Sequence, residues 1–507
     1  MEPNWAENQL ALKTEIGNWI QVSIRRHQTR SWAGITDEGT FTSTWDGYYL
    51  MTGDERIISF KHRLRDSFWK YAATHLHHGY YKTGEPHHQT ETYNDFLGPF
   101  TLLTERERSK NLTILEDASH HLGNWVPGIP EWFDWSKKRF VSWSIGTQKV
   151  SLAKEDTFET LEHFRFILMA LDTYLAGGDE QYLDFAKAYS DRWLELILRN
   201  KLVPGALFPD AESERIYLEK RKRISGISFV SDVHRIDGGG MADVFLTLYR
   251  LTHQPKYLDG LQIAFDQLQQ VNQEHHIYSE MQPRIMAAYR ILTGDKRYDQ
   301  WALDWLSTFE MPDEELECRL ILAGDRMIWE YRLSDGKLIK TMPPEALLVL
   351  GYQITKEEKY LNLAFSLGRK KLWAAQLLRD GREHGCDSRT ISGVARVSAA
   401  PLYAAVFGAT LRFRSNINTV QVKYFKQDES IGLPEGVAAL FEPTTLNERK
   451  LHFYNSQDTE QVVKISAENI NLNIASVSAN GCMCEKGERL TVRLPAKSLA
   501  VVLFSLK

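Results

Sequence analysis

Cysteine is scarce: the 507 residues contain four, at Cys318, Cys386, Cys482 and Cys484. That spacing excludes a disulfide framework and a paired-cysteine zinc site, so free thiols are expected. Also missing is any run of the ~18 apolar residues that a membrane span needs, which excludes membrane insertion through a helix. Basic excess is absent too, with 61 Lys and Arg against 66 Asp and Glu and a net charge of −5. Without a basic block the electrostatic footprint of a nucleic-acid binder is missing. The opening MEPNWAENQLALKTEIGNWIQ has no basic start followed by an apolar run, and a cytoplasmic location is expected.

Aromatic residues, in contrast, are plentiful, with 14 Trp, 21 Tyr and 23 Phe. Their faces suit sugar rings and helix packing equally. The length exceeds the ~250–300 residues at which one core stops growing, so at least two cooperative units are expected.

An internal repeat dominates the first four-fifths of the chain. It reads YLMTGDERI from Tyr49, YLAGGDEQY from Tyr174, YRLTHQPKY from Tyr249, YRILTGDKRY from Tyr289 and YQITKEEKY from Tyr352. The wide gap between the first two copies leaves room for a degenerate copy near Leu103 to Leu112. Each copy is an amphipathic helix ending in Tyr, a short turn, and a second helix. Gly tolerates the left-handed cap that stops a helix, and Asp accepts the orphan amide protons that start one. Six such hairpins can close into a ring with first helices inside and second helices outside, or stack as a straight solenoid.

After about Ser415 the period changes. VQVKYF, LHFYN, VVKISA, LTVRLP and LAVVLFSL alternate or run apolar as strands do. The expected organisation is a helical domain over 1–414 and an antiparallel β-sandwich over 415–507. Cys482 and Cys484 share one strand face there and read as packing groups.

The YxxTGDxxY turns and the terminal RLPAKSLAVVLFSLK resemble the (α/α)6-toroid carbohydrate-active enzymes, glycoside hydrolases and polysaccharide lyases with an appended β-sandwich. The resemblance covers essentially the whole chain. It implies a mainly α fold, an oligosaccharide substrate and no cofactor. It also implies an inverting geometry for a hydrolase, with two carboxyls about 6.5–9.5 Å apart.

The repeat also locates the chemistry. Short turns gather on one rim, leaving the long connections and the N-terminal ends of the first helices on the other, where binding sites usually lie. Those connections hold His75, His77, His78, His87, His88, His234, His275, His276 and His384. The densest stretch, His75 to Phe96, is expected to lead into a helix capped by Thr90, so that Glu91 and Asp95 share a face. Tyr93 lies between them. His87, His88 and Glu91 match no helical zinc signature, and no metal site is expected. A second dense stretch, Ser231 to Phe245, carries Asp232 and His234 on one side of an extended approach, with Arg235 and Asp237 on the other. Its Gly238 to Gly240 run follows no strand and is no nucleotide fingerprint.

Trp45, Asp46, Glu280, Arg284, Trp329 and His384 complete the candidate substrate-binding set. Arg presents two parallel donors to a carboxylate, and uronic acids offer that group. Each of these residues also has a plainer reading as a packing group or rim ion pair. Glu91 and Asp232, tuned by His88 and His234, are expected to act as the acid/base pair of an exo-acting glycoside hydrolase on a uronic-acid-containing oligosaccharide. A lyase using His88, Tyr93, His234 and Arg235, or a non-catalytic glycan binder, remains open.

Overall fold

The computed structural model describes residues 4–28, 31–32, 39–224, 240–275, 282–312, 316–323, 326–339, 341–376, 391–408, 422–445, 448–467 and 475–505. The fold is mainly α, made of helical hairpins and ending in an antiparallel β-sandwich. None of the described helices is long and apolar enough to cross a membrane. Two compact bodies divide the chain: one comprises residues 1–30, 40–62 and 286–507, the other 31–39 and 63–285.

All six hairpin turns occur where the repeat places them. Helices Asp46–Thr52 and Glu55–His75 flank the first, and Gly98–Leu103 and Arg108–Ser119 flank the degenerate copy. The later pairs are Phe164–Leu175 with Glu180–Asn200, Met241–Thr252 with Lys256–His275, Gln282–Thr293 with Asp299–Ser307, and Glu345–Thr355 with Glu358–Gln376.

Hydrogen bonds explain the recurring letters. Gly53 turns left-handed at φ +70° and its N–H donates to Tyr49 O at 2.7 Å, closing the first helix. Thr52 Oγ1 then accepts from the Asp54 amide, and Asp54 accepts from the Arg56 amide to open the next helix. Thr293, Asp295 and Arg297 repeat this chain of donors and acceptors. The tyrosine hydroxyls of Tyr49 and Tyr289 reach across to Glu55 and Asp295.

In four of these pairs the first helix is enclosed over most of its length. Phe164 to Thr173, Met241 to Leu248, Gln282 to Leu292 and Glu345 with Leu347 to Gln353 are buried on successive positions, whereas Glu180–Asn200 buries only one stripe. Burying each large apolar side chain contributes roughly 1.5–3 kcal/mol.

The β-sandwich has two four-stranded sheets. One runs Ser476–Asn480, Ser498–Ser505, Glu448–Asn455, Val437–Thr445; the other runs Met483–Glu485, Leu490–Leu494, Gln461–Ala467, Val422–Phe425. Alternation turns Ala500, Val502 and Phe504 of one sheet and Leu490, Val492 and Leu494 of the other into the core. In the same body Gln9 of helix Asn4–His27 exchanges two 2.9 Å hydrogen bonds with the backbone of Ala439. Cys318, Cys482 and Cys484 are free thiols.

Candidate active site

The histidine-rich stretch follows helix Glu55–His75 as a tight turn, His77 to Tyr80, whose end residues exchange backbone hydrogen bonds at 3.0 and 3.1 Å. Gly79 sits there at φ +77°, and a Cβ on it would lie 1.9 Å from the Tyr93 hydroxyl oxygen. Only glycine fits. Helix Pro86–Thr92 comes next, with Pro86 in its first turn and Glu85 as N-cap. The expected cap at Thr90 is therefore corrected: proline pre-set for the first turn starts the helix five residues earlier, with the cap at Glu85. Thr90 is buried inside it, donating to Pro86 O at 2.6 Å and accepting from Arg165 Nε at 2.9 Å.

Beyond Thr92 the helix widens into one π turn, Tyr93–Leu97. This extra residue breaks the expected shared face of Glu91 and Asp95. Asp95 turns into the core, 3.5 Å from Arg165, with both side chains sealed. Glu91 stays near the surface with 12 % of its side chain exposed, and His87 Nε2 lies 3.4 Å from its carboxylate. His88 points outward, 60 % exposed, with Nδ1 3.0 Å from Glu85. Tyr93 is fully buried; its hydroxyl donates to Gly79 O at 2.9 Å, and burial pushes the phenol well above its ordinary range.

Arg284 also goes inward. It makes a bidentate pair with Asp243 at 2.8 and 3.2 Å, and both side chains are at most 5 % exposed. The expected role of Arg284 as a clamp for a substrate carboxylate is corrected by this pairing, which commits both Nη groups to Asp243 in the sealed core. Asp232, His234, Arg235, Asp237, Glu280 and His384 lie outside the described residues.

The other body takes Trp45 and Asp46 into its core. Trp45 packs against Phe41 and Phe60, and Asp46 meets Lys61 Nζ at 2.5 Å. Burial raises the Asp46 carboxyl, with Lys61 opposing it. As substrate contacts both are corrected, because neither presents a face to solvent. Trp329 lies on strand Arg326–Arg332, paired with Glu317–Ala323, and not beside a helix start. Its ring stacks on Tyr331, and Lys371 Nζ lies 5.8 Å from the ring centre.

Two groups escaped the sequence reading. Asp117 and His121 stand four residues apart at the end of helix Arg108–Ser119, a spacing that brings two side chains to one face, and His78 joins them from the turn. The second is a cleft of about 520 Å³ in the first body, lined by Glu15, Glu317, Arg319, Arg369 and Trp373 among others. Trp373 is 63 % exposed, a flat face beside two guanidinium groups. Cys318 also lines the cleft, and burial pushes its thiol up to about 12, which keeps it protonated.

No family model and no curated protein matches the sequence. Among solved structures, the chain is similar to a GH127 β-arabinofuranosidase at 12 % identity, covering 93 % of this chain and 80 % of that one, with a TM-score of 0.29. It is also similar to a GH127 β-L-arabinofuranosidase from Geobacillus stearothermophilus T6 at 10 % identity, covering 100 % of this chain and 81 % of that one, with a TM-score of 0.28. Likeness at these scores bears on neither the architecture nor the activity of the chain.

Proposed function

We propose that the protein is a glycoside hydrolase acting exo on a uronic-acid-containing oligosaccharide, with Glu91 and Asp232 as its carboxylate pair and an (α/α)6 toroid as its helical frame. The observation that carries the reading is the setting of Glu91, whose carboxylate lies 3.4 Å from His87 Nε2 with 12 % of its side chain exposed, so that a leaving oxygen can reach it from solvent.

Glycoside hydrolysis needs a carboxyl that protonates the leaving oxygen and a second that activates water or attacks directly. Glu91 takes the first role and Asp232 the second. With Arg284 committed to Asp243, Arg235 is the remaining candidate to hold a substrate carboxylate. The cleft beside Trp373 offers stacking and cationic groups of the kind a sugar acid needs, and serves as an accessory saccharide contact. Of the candidate elimination bases His88, Tyr93 and His234, Tyr93 is sealed in the core with a raised phenol and does not suit that role.

The test is turnover of aryl glycosides and glycuronides by Glu91→Gln and Asp232→Asn, each checked for folding by thermal melt. Loss of about 10²–10⁴ in rate is expected for each. If both variants keep more than about a tenth of wild-type turnover, the pair is wrong. An unsaturated, ultraviolet-absorbing product would instead establish a lyase.

A further inference from the structure

Helix Arg108–Ser119 ends in a cluster that the hydrolase reading does not use. Asp117, on its last turn, and His121, just beyond it, face the turn His77 to Tyr80, and the ligand atoms of His78, Asp117 and His121 all lie within 4.8 Å of one another. His78 Nδ1 is 3.2 Å from Asp117 Oδ1. The turn is pinned to the helix end by Tyr80, whose buried hydroxyl donates to Ala118 O at 2.7 Å. His78 itself sits at φ +51°, a left-handed conformation that side chains other than glycine rarely adopt. Backbone strain of this kind persists where surrounding structure holds the residue in place.

His121 provides the second, independent observation. Its ring is 1 % exposed, packed near Tyr80 and Trp132, and neither ring nitrogen meets a hydrogen-bond partner among the described residues. Burying such groups unpaired costs roughly 1–3 kcal/mol. An imidazole nitrogen with an unused lone pair is the group that ligates metals.

We infer that His78, Asp117 and His121 form a binding site for a divalent transition-metal ion. Two imidazoles and one carboxylate suit zinc or a neighbouring first-row ion better than calcium or magnesium, which take oxygen ligands. Metal bonds of about 2.0–2.2 Å require the three ligand atoms to draw together by about 1 Å. His78 and Asp117, at 41 % and 40 % side-chain exposure, have the freedom to move towards the fixed His121. The same exposure leaves one side of the ion open to water. Zinc held here ties the His77 to Tyr80 turn to the helix end independently of Glu91.

The experiment is calorimetric titration of the chelator-treated full chain with Zn²⁺, and with Co²⁺ read by its visible absorption. The wild type should bind one equivalent, with cobalt bands of a low-coordinate nitrogen and oxygen site. His78→Ala and Asp117→Asn should each weaken binding by about 10–100-fold and alter those bands, with little change in melting temperature because both side chains are half exposed. His75→Ala, a surface histidine outside the cluster, should bind as the wild type does. The inference is overturned by substoichiometric binding, by wild-type affinity in both cluster variants, or by an equal loss in His75→Ala, which would mark adventitious surface binding.

Discussion

Asp243 with Arg284 and Asp117 with His78 stand in the same compact body, and each joins a carboxylate to a nitrogen base at about the same distance, 2.8 and 3.2 Å. Surroundings make them different objects. The first pair is sealed and bidentate; the second is two-fifths exposed on both sides and has a buried, unbonded imidazole beside it. A sealed pair holds structure, because removing either partner strands a charge where water cannot reach it. An open pair can exchange protons or accept an ion. Contact distance alone does not separate the two roles.

The largest expected effect comes from breaking the sealed side of the comparison. Arg284→Met leaves Asp243 buried without its cation and should lower unfolding free energy by about 3–5 kcal/mol in urea titrations. Adding Asp243→Leu should return most of that loss, since an apolar pair of similar volume is tolerated. A single variant costing under about 1 kcal/mol would show that water reaches the pair, and the contrast with His78 and Asp117 would collapse.

A middle-sized effect sits under the open side. Gly79→Ala forces a Cβ against the Tyr93 hydroxyl and into a left-handed backbone, and should cost about 1–3 kcal/mol. In a double-mutant cycle, Tyr93→Phe should make the Gly79→Ala step cheaper by removing the closest clashing atom. Additive losses would mean that the turn carrying His78 is not positioned through Tyr93.

The smallest effect is in the β-sandwich body and depends on pH. Glu442 is withdrawn, which alone would raise its carboxyl, but hydrogen bonds from His452 and Lys356 and the charges of Lys356 and Lys450 outweigh burial and hold it well below the usual carboxylate range. A carboxyl depressed in the folded state contributes stability above its unfolded pKa near ~4.3, and that contribution is lost as pH falls through the folded value. Glu442→Gln should therefore cost about 1 kcal/mol at neutral pH and progressively less in acid, followed by melting temperature across a pH series. A constant difference between variant and wild type at all pH values would assign the loss to packing.

Much of the frame was legible in the chain. The hairpin turns were readable because their chemistry is local: Tyr49, Thr52, Gly53 and Asp54 satisfy one another within six residues, and the copies at Tyr289 and Tyr352 reuse the plan. Alternation in LTVRLP and LAVVLFSL likewise declared strands. The hairpin from Glu317 to Arg332 falls between two copies of the helical repeat and is not among the strands read from the sequence. Of the site, the nearness of His87 and His88 to Glu91 was visible, but their rotation was not.

Sequence by itself determined where the hairpin turns of the repeat fall, that the closing segment forms a β-sandwich, and which stretches concentrate histidine and carboxylate. Those are properties of near neighbours, set by caps, turn residues and periodicity. Only the tertiary structure decided what each titratable side chain faces. One π turn sent Asp95 to Arg165 and left Glu91 outside; Arg284 found Asp243 41 residues away; and His121 came to rest among aromatic rings beside a turn from His77 to Tyr80. Burial and long-range pairing set the charge and availability of such groups, and neither is encoded in the spacing of residues along the chain.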